Sequence, residues 1–391
     1  MRYIALLISM LLLVGCAAPL PAEDDAPPST PSQAVPETSD VVQTVPTEPT
    51  PTEAPDPVRQ LLNQMTLEER VGQLFFARCQ PDTALTDIQT YHLGGFVLFA
   101  SDFEGQTPDS FREKVAGYQA AASIPLLLGV DEEGGTVTRI SRYSAFRSSP
   151  FPSPRTSFAQ GGMEQVLAVE TEKCQLLRSL GINVNLGPVC DISQDSEAFM
   201  YARSLGQDAQ TTASFVSQTV DIMNQYQIGS VLKHFPGYGN NTDTHTGIAV
   251  DTRSLEALEN QDLVPFAAGI EADCGAILVS HTIVQALDDT LPASLSPAVH
   301  QYLRQEMSFE GVILTDDLVM QAITDQYGAG EAAVMAVLAG NDLLCSTDYA
   351  IQYQAVYDAV MAGRIDLDTL NAAAGRVLRW KINLGLLDVQ E

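Results

Sequence analysis

The sequence is short of positive charge. It carries 20 lysines and arginines against 49 aspartates and glutamates, a formal charge of −29 over 391 residues, and that sign repels nucleic-acid phosphates and anionic lipid alike. Nucleic acid is thereby excluded as a partner. Cysteine is sparse and no Cys-x-x-Cys pair occurs. Cys79, Cys174, Cys190, Cys274 and Cys345 lie far apart, mostly in apolar runs, which favours buried free thiols over a disulfide framework or a zinc site. Histidines number five, and no third histidine or cysteine stands at ligand spacing beside the one close pair, so neither metal nor cofactor is expected. Gly-x-Gly-x-x-Gly does not follow the first apolar segment, which removes the main support for a dinucleotide-binding fold.

What is present starts with an export signal. One arginine precedes an apolar run from Tyr3 to Val14, too short to span a bilayer as a stable helix, and Leu13-Val14-Gly15-Cys16 follows. The cysteine after Leu-Val-Gly resembles a bacterial lipoprotein cleavage box, which makes Cys16 the lipidated first residue of the mature protein. The plainer alternative is an ordinary cleaved signal with an incidental cysteine. From 17 to 57 the chain holds eleven of its twenty-two prolines and no lysine or arginine. Such a segment buries no core and acts as an extended, self-repelling tether. Residues 58–391 then form the folded part, expected to be a single domain, monomeric, outside the cytoplasm and held to the cell membrane by the N-terminal lipid alone.

Within that part, Thr66-Leu67-Glu68-Glu69 is a capping box. Apolar segments that read as buried strands follow at 72–77, 95–100, 125–131, 181–188, 229–234, 275–281, 311–316 and 341–345. Helical candidates lie between most of them, for example 163–180, 208–226, 254–272 and 330–339, and a last one at 367–384. Continuously apolar strands alternating with amphipathic helices mean parallel strands covered by helices. Eight of them predict an α/β fold, a (β/α)8 barrel, in preference to an open doubly wound sheet.

Several strand candidates end in ionisable residues: Asp131, the Lys233-His234 pair, His281 and Asp316. In a parallel barrel the carboxyl ends of all strands open onto one face, so these groups converge there. Each also has a plainer reading. Asp316 and Asp317 can cap a helix, Asp131 with Glu132 and Glu133 can form a solvated turn, and His281, with no evident partner nearby in sequence, reads as a satisfied core histidine. Lys233 resists such a reading, because an unpaired buried ammonium is costly. Downstream, Asp243-Thr244-His245 sets a carboxylate two residues from an imidazole, which suits a general acid or base. The glycines and asparagines between suggest a loop able to move.

These residues resemble glycoside hydrolase family 3, in particular its β-N-acetylhexosaminidases, which remove N-acetylglucosamine from peptidoglycan fragments. The likeness rests on Lys233-His234-Phe235-Pro236-Gly237-Tyr238-Gly239 followed by Asp243-x-His245. It rests also on Val130-Asp131-x-Glu133-Gly134-Gly135, Asn185-Leu186-Gly187-Pro188-Val189-x-Asp191, Arg203-Ser204-Leu205-Gly206 and Gly311 to Asp317 with Leu318 and Met320.

The resemblance implies a retaining β-glycosidase working through a covalent glycosyl-aspartate on a carbohydrate substrate. It implies Asp316 as nucleophile, His245 paired with Asp243 as acid/base, and Asp131, Arg203, Lys233, His234 and Arg139 as sugar-binding residues. The family's usual histidine in Pro-Gly-His-Gly is Tyr238 here, and many family 3 β-glucosidases and xylosidases take their acid from a second domain that this chain ends before. Rival readings are a phosphorylase or β-glucosidase on the same fold and, in a different class, a lipid-anchored solute-binding protein with two lobes.

Overall fold

The computed structural model describes residues 56–239 and 247–387. Cys16, the part of the expected tether up to residue 55, Asp243 and His245 lie outside the described residues. Among the described residues ten strands follow one another as β1 Phe75–Arg78, β2 Gly95–Leu98, β3 Leu127–Val130, β4 Val184–Asn185, β5 Gly229–Phe235, β6 Val250–Asp251, β7 Ala276–Val279, β8 Ile283–Val284, β9 Val312–Thr315 and β10 Leu344–Ser346. Eight of them form one all-parallel sheet in the order β10-β1-β2-β3-β4-β5-β7-β9. A parallel bridge between Leu314 and Leu343 brings the two ends of that order together, so the sheet curls into a (β/α)8 barrel. β6 and β8 make a separate two-stranded pair.

The strands are apolar on both faces because both faces are covered. Alternate residues such as Phe76, Val97, Leu127, Val231, Leu278 and Leu314 fill the barrel interior. Their neighbours Phe75, Phe96 and Leu128 face the surrounding helices, as do Leu232 and Ile277 further round. The last helix, Leu367–Asn383, covers the amino ends of the strands with Trp380. A Cβ on Gly229 or Gly275 would come within 2.6 or 2.0 Å of that indole, so glycine at both positions is what lets the ring dock.

Helix starts follow the local sequence. Thr66 accepts from the Glu69 N–H while Glu69 reaches back to Thr66, the reciprocal cap expected there. Asp56 caps a helix at Pro57–Gln64 through the Val58 N–H. The candidate 254–272 is two helices, Leu255–Asn260 and Leu263–Glu271. A continuous helix would drive the Pro265 ring into the carbonyl of Gln261, and the break at Asp262 relieves it. The candidate 163–180 is the second half of Pro154–Ser179, which is non-helical at Gly161 and Gly162. The five described cysteines are all free and buried. Among the described residues no helix is long and apolar enough to cross a membrane.

Candidate active site

At the carboxyl ends of the barrel strands lies a cavity of about 1020 Å³. Its lining includes Asp131, Arg139, Arg203, Lys233, His234 and Asp316, so all six described residues picked out as catalytic or sugar-binding meet at one place although they span 185 positions of the chain. Asp243 and His245 belong to the segment outside the described residues. Phe99, Phe199 and Tyr238 add aromatic surface to the same walls.

Lys233 sits near the end of β5 and is nearly inaccessible, and its ammonium is met by two carboxylates: Asp131 Oδ1 at 2.7 Å and Glu133 Oε1 at 2.6 Å. Glu133 also receives Arg203 in bidentate fashion, Nε to Oε2 at 2.9 Å and Nη2 to Oε1 at 2.7 Å. Arg139 approaches the other Asp131 oxygen at 3.5 Å. Burial works against the charge on Asp131 and Glu133, but the Lys233 ammonium with Arg139 or Arg203 outweighs it and holds both carboxyls below their ordinary values. Burial likewise opposes the charge on Lys233, and the two carboxylates hold it above its ordinary value. The cluster is therefore fully ionised around neutral pH, with its charges already paired before any ligand arrives.

His234 is held from two sides. Arg203 Nη2 lies 3.2 Å from its Nε2, and Asp191 Oδ2 lies 2.7 Å from its Nδ1. A guanidinium only donates, so Nε2 accepts and the ring proton sits on Nδ1, pointing at Asp191. Asp191 is wholly buried and also accepts from the backbone N–H of His234 at 3.1 Å and of Tyr238 at 2.8 Å. One carboxylate thus fixes the imidazole and the Pro236-Gly237-Tyr238 turn together. Tyr238, at the position where the resembled family carries histidine, is 1% exposed and meets the His234 ring edge-on at 5.2 Å.

Asp316 follows β9, its own N–H donating to the Val279 carbonyl at 3.1 Å. Its Oδ1 accepts from the Asp317 N–H at 2.9 Å, and its other oxygen has no hydrogen-bond partner among the described residues. Helix capping, the plainer role, is not what holds it. Asp317 braces the turn instead, accepting from Val319 and Thr347. His281 is buried: its Nε2 donates to the Asp317 carbonyl at 3.0 Å and its Nδ1 meets Ser294 Oγ at 2.7 Å. The core reading of His281 holds, though it has partners that sequence proximity does not reveal.

Two contributors escaped the sequence reading. Glu133 is no solvated turn but the centre of the charge cluster. Glu132 beside it is wholly buried, accepting from the N–H groups of Arg139 and Ile140 and folding the strap that carries Arg139. Asp191 likewise appears in the sequence only as the end of an Asn-Leu-Gly-Pro-Val run. The available signal was a carboxylate soon after an apolar strand, the same signal that marked Asp131 and Asp316. Among the described residues no group of three or more His, Cys, Asp or Glu side chains could hold a metal ion.

With that geometry in view, the chain can be set beside known proteins. The pattern of the glycosyl hydrolase family 3 N-terminal domain matches residues 66–380. A beta-hexosaminidase of Xanthomonas campestris pv. campestris is 31% identical over 300 residues, 75% of this chain and 85% of that protein. The beta-hexosaminidase LpqI of Mycobacterium tuberculosis is 30% identical over 306 residues, 75% of this chain and 77% of that protein. Among solved structures, a glycoside hydrolase family 3 beta-N-acetylglucosaminidase from Paenibacillus sp. superposes with a TM-score of 0.77 at 31% identity. That match covers 84% of this chain and 65% of the Paenibacillus chain.

Proposed function

The chain belongs to glycosyl hydrolase family 3 and is a glycoside hydrolase acting on carbohydrate, and from that premise we propose that it releases terminal β-linked N-acetylglucosamine from peptidoglycan-derived fragments or related glycosides with retention of configuration. The observation that carries the reading is the pairing, in one cavity, of a fixed ionised cluster with a carboxylate that has an oxygen unengaged among the described residues. A pyranose offers a rim of hydroxyls and apolar C–H faces. Asp131, Arg203, Lys233 and His234, with Arg139 at the edge, supply charged donors and acceptors for the rim, and Phe99, Phe199 and Tyr238 supply apolar surface for the faces.

In the first step an Asp316 oxygen attacks the anomeric carbon and the bond to the aglycone breaks with its electron pair. The His245 imidazolium gives its proton to the departing oxygen. In the second step neutral His245 takes a proton from water, whose oxygen attacks the same carbon and displaces the Asp316 carboxylate. Asp243, two residues from His245, orients the ring. The enzyme works as a monomer outside the cytoplasm, anchored through Cys16.

The test is release of 4-nitrophenol from paired aryl β-glycosides of N-acetylglucosamine and glucose. The N-acetyl sugar is preferred. Asp316→Asn lowers kcat by at least about 10³-fold, since losing the nucleophile closes the covalent route. His245→Ala slows both steps, and azide rescues the second. No release by the wild type, or full activity of either variant, overturns the assignment.

A further inference from the structure

Against the Pro236–Gly239 turn sits an ionic group whose residues do not line the cavity and belong to no strand of the barrel. Arg253 gives its Nε to both oxygens of Asp251 at 3.0 Å, its Nη2 to Asp251 Oδ2 at 2.6 Å and its Nη1 to Asp262 Oδ2 at 2.6 Å. Both carboxylates are buried, and the Arg253 side chain is 30% exposed. The three residues come from three elements: Asp251 from β6, Arg253 from the turn after it, and Asp262 from the start of the helix Leu263–Glu271.

Two glycines press against this group. Gly237 (φ +118°) lies so close to Asp262 that a Cβ would stand 2.6 Å from its Oδ1. Gly239 (φ +55°) lies so close to Arg253 that a Cβ would stand 2.7 Å from the guanidinium carbon. The Gly237 carbonyl is 3.5 Å from Arg253 Nη2. The spacing Gly-x-Gly therefore has a physical reason: positive φ at both positions, and backbone that must approach the ionic group with no side chain in the way. Asp262 Oδ1 is buried without a hydrogen-bond partner among the described residues and faces the Gly237 backbone. Such an oxygen contributes no bond that would explain its burial, and its place against the turn explains it.

These contacts fall on both flanks of residues 240–246. The outgoing flank is Gly237 to Gly239, and the returning flank is β6, itself fixed by pairing with β8. We infer that Asp251, Arg253 and Asp262 are positioning residues that clasp the two flanks of residues 240–246 together and so support the acid/base step proposed for His245. The inference rests on the proposed role of His245 as acid/base. Arg253 does not line the cavity and acts through the backbone it holds.

A positioning role leaves a mark that general weakening of the fold does not. A proton donor matters most when the departing group is a poor one and little when it leaves unaided, and general acid catalysis is worth about 10²–10⁴-fold. The experiment measures kcat/KM of the whole chain on phenyl and 2,4-dinitrophenyl N-acetyl-β-glucosaminides for the wild type, Arg253→Met, Arg253→Lys, Asp262→Asn and His245→Ala. Arg253→Met and Asp262→Asn are expected to lose at least about tenfold more on the phenyl glycoside than on the dinitrophenyl one, with Arg253→Lys recovering part of the difference. Equal losses on both substrates, or no loss, in soluble variants overturns the clasp. If instead His245→Ala shows no dependence on the leaving group, the acid/base assignment itself fails, and the clasp with it. Should Arg253→Met fail to fold, Asp262→Asn, which keeps the side-chain volume, decides.

Discussion

Two lysines of this barrel are about equally hidden from water and are treated in opposite ways. Lys233, at the cavity end, is 2% exposed and touches two carboxylates at 2.6 and 2.7 Å, which overcome burial and raise its affinity for the proton. Lys381, in the helix over the amino ends of the strands, is wholly buried and has one partner among the described residues, the neutral Gln73 Oε1 at 2.6 Å. Burial alone acts on it and pushes its ammonium down to about 7. Burial is therefore no guide to role. The carboxylates around Lys233 cost desolvation of their own, and the fold bears that cost where ligand hydroxyls are to be met. Around Lys381 no counter-charge stands among the described residues, and the charge is simply allowed to leave.

The comparison breaks first at Lys233. Lys233→Met strands Asp131 and Glu133 without their shared cation, which should lower stability by about 3–5 kcal/mol. It should also lower kcat/KM for the aryl glycoside by at least about 10²-fold, as hydrogen bonds to a charged group are lost. Lys381→Met should leave kcat/KM within about twofold of wild type, because nothing ties it to the cavity. Equal activity losses in the two variants, measured by initial rates and chemical denaturation, would remove the distinction. Glu133→Gln is the next smaller step. It keeps the shape of the cluster and deletes one charge, and Glu133 faces Arg203 and Lys233 and not the reacting atoms. About a tenfold fall in kcat/KM is expected, carried mainly by KM; a fall carried by kcat alone would move Glu133 from positioning into the chemistry.

The two lysines also mark what the sequence could reveal. Eight apolar segments with helices between them foretold the barrel, because a strand buried on both faces has to be apolar at every position. Lys233 stood out for the same reason: a charge at the end of such a run is conspicuous, as were Asp131 and Asp316. Glu133 and Asp191 were not, since their partners lie 70 and 43 residues away and meet them only once the barrel closes. Lys381 was harder still. A lysine in an amphipathic helix reads as solvated, and only the docking of that helix against the strand ends buries it. The helix break at Asp262 was missed although Pro265 signalled it, and with it the Arg253 group, whose members mean nothing until β6 and the following helix are placed side by side.

The pH dependence of Lys381 has a fixed sign. Lys381 has a folded-state value near 7 against an ordinary 10.5, so between those limits the unfolded chain holds a proton that the folded chain does not. Stability from this group therefore rises with pH across that window, by at most about 1.4 kcal/mol per pH unit. Below the window both states are charged and the full penalty of burying the ammonium is present. Above it both are neutral and the penalty is gone. Lys381→Met removes the group from both states and with it this slope. Chemical denaturation at pH 7, 8 and 9 should thus show the variant ahead of wild type at pH 7 and the gap narrowing as pH rises. Other groups titrate in the same range, but they are common to both proteins and cancel in the difference. A gap constant with pH would mean that Lys381 stays charged when folded. The Gln73 carbonyl would then suffice to hold an ammonium in this core, and Lys233 would not need its two carboxylates to stay protonated. Their presence would be accounted for by the ligand alone.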